Sequence, residues 1–247
     1  MEEQTHLPQD NNSRNTQVLT ETRESNFWVG TTEEFQTAIC FVPNSNSVDN
    51  SHIATVYDCS GQIVSETKIT FPQNKIGFFE VDAILGDCKI TQGVRQAHLK
   101  ITSEINTDYQ IFITGKDKEY NCSEKQKVAR EYVAFFPLRI SNTTSSNLVF
   151  CNNSKFPATI KCRLFTGTRT PEIDFKIPEN GTALKKIETE FEEFLDLTAG
   201  KITQGYIRIL TSSSAELSVS LIEEKQEVFN QKSLEFTVDS ESKGEDI

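Results

Sequence analysis

The feature that most constrains this chain is a match between two of its own segments, 108 residues apart. HLKITSEINTDYQIFI (98–113) lies over YIRILTSSSAELSVSL (206–221) without a gap. Leu99 meets Ile207, Ile101 meets Ile209, Tyr109 meets Leu217, Ile111 meets Val219 and Ile113 meets Leu221. Each run alternates apolar and polar residues, the period of a strand with one buried face. Upstream, residues 53–81 resemble residues 158–187, and both read strand, turn, strand, proline, turn, strand. Gly61 and Gly167 each precede a proline, Pro72 and Pro178, by 11 residues. Glycine supplies the positive φ of a tight turn, and proline has no N–H to give a sheet. Residues 35–45 and 145–155 open the two blocks alike, each an apolar run closed by Asn and Ser. The pentapeptide KITQG occurs at 89–93 and again at 201–205, a shift of 112, which implies a small insertion or deletion between the matching blocks.

These matches predict an all-β chain of two tandem antiparallel β-sandwich domains, immunoglobulin-like or jelly-roll in type, made by internal duplication. Residues 1–25 form an N-terminal tail without periodicity, read as disordered. The first sandwich spans 26–114 and the second 132–223, joined by a charged linker, 115–131. Residues 224–247 form an acidic tail in which SLEFTVDS (233–240) alternates as one extra strand would. ETEFEEFLDLTAG (188–200) has helical spacing at Phe191, Phe194 and Leu195, and predicts a short helical turn between strands. LKITS (99–103) and YIRIL (206–210) carry at most one charge and no proline, so they would be poorly defended against pairing with another chain if they lay at sheet edges.

The turns VYDCSG (56–61) and IPENG (177–181), with the strand GYIRILTSS (205–213), resemble a diffuse group of bacterial immunoglobulin-like β-sandwich repeats. The small cytoplasmic transducer partners of microbial sensory rhodopsins are similar in strand order. That resemblance implies a non-catalytic, oligomeric binding module.

The formal charge of −11 is concentrated at the ends: residues 1–25 hold five acids and two bases, and residues 223–247 eight acids and three bases. The middle is nearly neutral and has no basic stripe, which argues against nucleic acid as a partner, since phosphate binding needs clustered Lys and Arg. No apolar run reaches the ~18 residues of a membrane span. The first residues have no basic start followed by an apolar core, so a cytoplasmic location is expected, or a secreted or surface one if a leader was removed.

No pattern in the sequence assembles a reacting centre, so no enzyme, cofactor or metal is expected. His6, His52 and His98 are far apart, His52 in a polar turn and His98 facing outward from an alternating strand. No G-x-S-x-G, phosphate-binding loop or dinucleotide fingerprint occurs. The acids of EFEEF (190–194) read as a solvated face. The six cysteines do not fall at matched positions: Cys40 lies near Leu148, Cys151 near Pro43 and Cys162 near Ala54, while Cys88 and Cys122 lack mates. They read as reduced thiols, Cys162 alternating inward with Ala158, Ile160 and Leu164. Cys59 sits beside Asp58, whose charge opposes thiolate formation.

Aromatic residues are the remaining candidates for a site. Phe27, Trp28 and Phe35 cluster before the first hairpin, and Tyr132, Phe135 and Phe136 stand at the matching start of the second block. They serve either as packing or as an interaction surface. Two functions follow. The chain is a structural or protein-interaction module that self-associates as a homo-oligomer or scaffolds a partner; alternatively, it binds a ligand such as a carbohydrate through exposed aromatics and the polar loops 44–52 and 141–146.

Overall fold

The computed structural model describes residues 22–43, 51–70, 77–88, 90–91, 93–103, 107–115, 118–167, 169–198 and 201–225. Most of the N-terminal tail, loop residues 44–50 and the strand expected at 233–240 lie outside the described residues.

The first half runs β1 (Arg23–Thr31), β2 (Phe35–Pro43), β3 (Ser51–Tyr57), β4 (Ile63–Thr70), β5 (Gly77–Glu80), the short helix α1 (Asp82–Leu85), β6 (Ile90–Thr91), β7 (Val94–Ser103) and β8 (Thr107–Gly115). The second runs β9 (Glu119–Cys122), β10 (Gln126–Val128), β11 (Ala134–Ser141), β12 (Thr144–Asn152), β13 (Ala158–Phe165), β14 (Glu172–Ile177), β15 (Thr182–Lys186), α2 (Ile187–Glu190), a 3₁₀ turn (Glu192–Phe194), β16 (Ile202–Thr211) and β17 (Leu217–Lys225).

Both halves are antiparallel β-sandwiches with one strand order. In the first, β4-β3-β7-β1 form one layer, and β2 pairs with both β5 and β8 in the other. Among the described residues the layers join at the β1–β2 hairpin, where Thr31 pairs with Gln36. The second half repeats this with β14-β13-β16-β11 and with β12 between β15 and β17, joined at Ser141 and Thr144. Immunoglobulin domains instead place their first, second, fourth and fifth strands in one sheet. Inward residues of both layers make one apolar cluster per half: Phe27, Val29, Ile39, Phe41, Val56 and Leu99 are in the first, and Phe136, Leu138, Leu148, Phe150, Leu164 and Ile207 in the second. Cys162 lies in the second core with Ala158, Ile160 and Leu164, as the alternation requires.

The helical turns occupy matching places. The amide of Leu85 bonds the carbonyl of Val81, and that of Phe191 bonds Ile187, so each turn presses two apolar side chains four residues apart into its core. Phe191 is therefore core, while Glu192 and Glu193 remain exposed.

The structure places two segments whose position the sequence left open and corrects the reading of a third. LKITS and YIRIL are interior, since β7 pairs with β1 and β3, and β16 with β11 and β13. The stretch 115–131 is not a bare connector: β9 and β10 pair along β17. KITQG plays two different parts. At 90–91 it turns back on the start of β7 through Gly93, whose φ is +79°, whereas at 202–205 it is continuous strand against β11. The 108-residue match sets Ile202 against Val94, so the two copies of the pentapeptide are four residues out of structural register.

Candidate functional site

The alignment of β7 with β16 fixes which outer-face residues correspond. Leu99 pairs with Phe27 and Val56, and Ile207 with Phe136 and Leu164. Phe27 therefore corresponds to Phe136, and its neighbour Asn26 to Phe135. Likewise Tyr57 corresponds to Phe165, and His98 to Tyr206.

In the first half this face is covered. His98 points away from its own core, as predicted, yet is 0% exposed because the second half lies on it. The His98 ring stacks on Tyr57 at 5.2 Å. Its Nδ1 lies 2.8 Å from the carbonyl of Asn180, which can only accept, so Nδ1 carries the proton. Desolvation lowers the pKa to about 4 against that hydrogen bond, leaving the ring neutral and Nε2 an acceptor. Nε2 lies 2.8 Å from Oδ1 of Asn26, and a neutral ring accepts a hydrogen bond here once the amide is turned over to present its NH₂ end. Beside it Trp28 Nε1 donates to Gln96 Oε1 at 2.8 Å. The indole packs with Val94 against Val149, Leu184 and Ile222 of the second half.

Two turns lock the halves together. Gly61, with φ +83°, sits so close to the 178–181 turn that a Cβ would fall 1.8 Å from the carbonyl oxygen of Glu179. A Cβ on Gly181 would lie 2.8 Å from the carbonyl of Cys59. The turns VYDCSG and IPENG are thus the two sides of one contact. Lys118 adds a bridge, with Nζ at 2.6 Å from both Glu34 and Glu224.

The corresponding face of the second half has no covering element among the described residues. Phe165 and Tyr206 stack at 4.5 Å and 9°, and Phe135 lies 6.3 Å from Tyr206. Arg208 lies over the Phe165 ring. Phe135 is 49% exposed and Tyr206 42%. Pro137, Arg139 and Gln204 share the exposed side of these strands.

The six aromatics expected at a surface divide accordingly. Phe135 and Tyr132 are exposed. Phe27 and Phe136 are core residues of their halves, because they alternate inward opposite Leu99 and Ile207. Trp28 is buried between the halves, and Phe35 packs beside it against Tyr120. Phe165 and Tyr206 escaped notice in the sequence, although the gapless match already set Tyr206 over His98. His52 is a buried residue of β3, bonded through Nδ1 to the Tyr109 hydroxyl, and is not in a turn.

All six cysteines are free thiols. Cys40 pairs across with Gln110 and Cys151 with Ser218, positions 108 apart, so these two cysteines do correspond, contrary to the sequence alignment. Burial pushes Cys88 up to about 11 and also raises Cys122, Cys151 and Cys162, the opposite of an activated nucleophile. Among the described residues no three His, Cys, Asp or Glu side chains are grouped to hold a metal ion, and no helix is long and apolar enough to cross a membrane.

Two clefts flank Trp28, of about 980 and 540 Å³. The larger is lined by Glu34, Asp82, Arg95, Tyr120 and Lys186, with charges of both signs. The smaller lies between β1, β8 and Lys125.

No protein-family model matches the chain, and no curated protein matches it. Among solved structures it is similar to that of infectious bursal disease virus Gx strain, at 10% identity over 83% of this chain and 59% of that one, with a TM-score of 0.27. It is similar to the major capsid protein P2 from bacteriophage PM2, at 10% identity over 85% and 94% of the two chains, TM-score 0.25. A third likeness is to the N-terminal CBM22-1-CBM22-2 tandem domain of Paenibacillus barcinonensis Xyn10C, at 7% identity over 79% of each chain, TM-score 0.27. The chain spans only 59% of the length of the first of these. Scores this low carry no argument about what the chain does.

Proposed function

We propose that the chain is a non-enzymatic structural module that associates with further copies of itself through the outer face of its second half. One observation supports this reading: the exposed Phe135 and Tyr206 and the half-buried Phe165 form a ring cluster at the positions by which the first half is covered. Large side chains exposed together on a sheet face are a common mark of a contact surface. Association of this face with the same face of a second copy is isologous and closes at a dimer, whereas its association with a different surface of the next copy is heterologous and propagates into a ring or a filament. Light scattering of the chain at micromolar concentration should give a mass of at least a dimer. A monomer under those conditions would favour the second reading, in which the same rings form a platform for a carbohydrate. Exposed ring faces beside Gln204 and Arg139 have the composition such a platform needs. Saturation-transfer contacts from a panel of oligosaccharides to Tyr206 would support it.

A further inference from the structure

The two halves of the chain meet by unlike faces. The first contributes the outer side of β1 and β7, where Trp28, Val94 and His98 stand. The second contributes the outer side of β12, β15 and β17, where Val149, Leu184 and Ile222 alternate away from their own core. These sides belong to different layers of the sandwich, so they are its two opposite faces. The contact leaves over one face of each kind. One is the β11–β16 side of the second half, with Phe135 and Tyr206. The other is the β2–β5–β8 side of the first half.

On that side Cys40 and Ala38 hold the places of Cys151 and Val149, since their partners across the sheet, Gln110 and Phe112, lie 108 residues before Ser218 and Ser220. Phe78 lies across from Cys40 on the other edge. It faces outward, because a Cβ on its neighbour Gly77 would strike the Phe41 ring in the core. Phe78 is 72% exposed and Phe112 43%, and no element covers them among the described residues. Their equivalents on the covered side of the second half are the small Thr182 and Ser220. Exposed rings therefore stand on both faces left over.

We infer that the β2–β5–β8 side of the first half receives the ring cluster on the second half of another copy of this chain, by repetition of the contact already made between the halves. The inference rests on the proposal that the ring cluster is an association face, and it names the surface that face meets. Repeated units that bury one face each on a neighbour form a stack in this way. The join is heterologous, so the stack propagates from chain to chain. The contact within the chain sets the register. Trp28 packs in one cluster with Val149, so Pro137, at the place of Trp28, comes over Ala38. His98 meets the carbonyl of Asn180, two residues before Thr182, so Tyr206 comes beside Phe78.

Two double variants of the full chain test this by light scattering at micromolar concentration. Phe78→Asp with Phe112→Asp blocks the first-half face, and Phe135→Asp with Tyr206→Asp blocks the second-half face. Both should melt within a few degrees of the wild type, because the four side chains are exposed. The wild type should exceed the mass of a dimer and each variant alone should be a monomer. An equimolar mixture of the two should give the mass of a dimer, since one intact face of each kind remains. A monomeric mixture would overturn the pairing. An unchanged oligomer in Phe78→Asp with Phe112→Asp, beside a monomer in the other variant, would overturn this inference and leave the association face standing. A monomeric wild type, or an unchanged oligomer in Phe135→Asp with Tyr206→Asp, would overturn both. A second measurement does not depend on disruption: Tyr206→Cys mixed with Phe78→Cys under mild oxidation should form a disulfide between positions 206 and 78 of different chains, identified by peptide mapping. Absence of that link would overturn the register.

Discussion

The two halves share a strand order and an alternation of apolar residues, yet their outer faces are composed in the reverse of what their surroundings suggest. The covered face of the first half is partly polar: Asn26, Gln96 and His98 lie under the second half, with their polar atoms joined by hydrogen bonds. The uncovered face of the second half carries Phe135, Phe165 and Tyr206 instead. A buried polar group is tolerated only when it is bonded, and one of these bonds, from His98 to the carbonyl of Asn180, crosses between the halves and requires one relative placement of them. An exposed ring cluster has no such requirement and tolerates a partner that comes and goes. The difference separates a permanent contact within the chain from a surface left available.

The sharpest test of this contrast is a neighbouring pair on one strand. Phe136→Ala should destabilise the fold by about 3–5 kcal/mol, because it empties a core position between both layers. Phe135→Ala should cost less than about 0.5 kcal/mol in the monomer. Urea unfolding curves of the two variants at low concentration compare them. Similar losses would mean that Phe135 has a structural role in its own half.

The next largest effect concerns pH. The unfolded chain takes up a proton on this histidine near 6.5, whereas folded His98 does so only near 4. Between those values the unfolded state binds more protons, so stability falls as pH drops from about 6.5 to about 4, by about 3 kcal/mol in all. Above 6.5 the residue adds no pH dependence. His98→Gln should flatten that part of the stability profile, measured by denaturation at a series of pH values. A slope unchanged by His98→Gln would show that the ring is not held neutral between the halves.

A smaller effect distinguishes the two glycine turns. Gly61 and Gly167 both have positive φ, +83° and +71°. A Cβ on Gly167 would meet nothing within 4 Å, while one on Gly61 would strike the 178–181 turn. Gly167→Ala should cost about 1 kcal/mol in backbone strain alone. Gly61→Ala should cost about 1–2 kcal/mol more, since the halves must also separate locally. Equal losses in thermal unfolding would mean that the turns are not in firm contact.

How much of this was legible in the sequence depended on distance along the chain. The period-two runs at 98–113 and 206–221 gave the inward faces of β7, β8, β16 and β17 correctly, because alternation is a local property. The equivalence of Cys40 and Cys151 was hidden by the hairpins. Thr31 and Gln36 correspond to Ile140 and Asn147, so the second hairpin is two residues longer and sliding the chain on itself loses register there. Burial of His98 and Trp28 was not legible, since an outer face becomes interior only when another part of the chain covers it. Nor was the pairing of β9 and β10, whose residues are too polar to advertise a strand. Of the exposed cluster only Tyr206 could have been anticipated, because the gapless match sets it over His98; the equivalence of Phe165 with Tyr57 and of Phe135 with Asn26 follows from the strand pairing alone.

Light scattering on Phe135→Asp with Tyr206→Asp tests the central claim most directly, set against the wild type at the same micromolar concentration. Both substitutions lie on the exposed face, so the melting temperature should stay within a few degrees of the wild-type value. The account predicts that the wild type has at least the mass of a dimer and the double variant the mass of a monomer. An unchanged oligomer in the double variant would contradict the assignment of this face as the association surface.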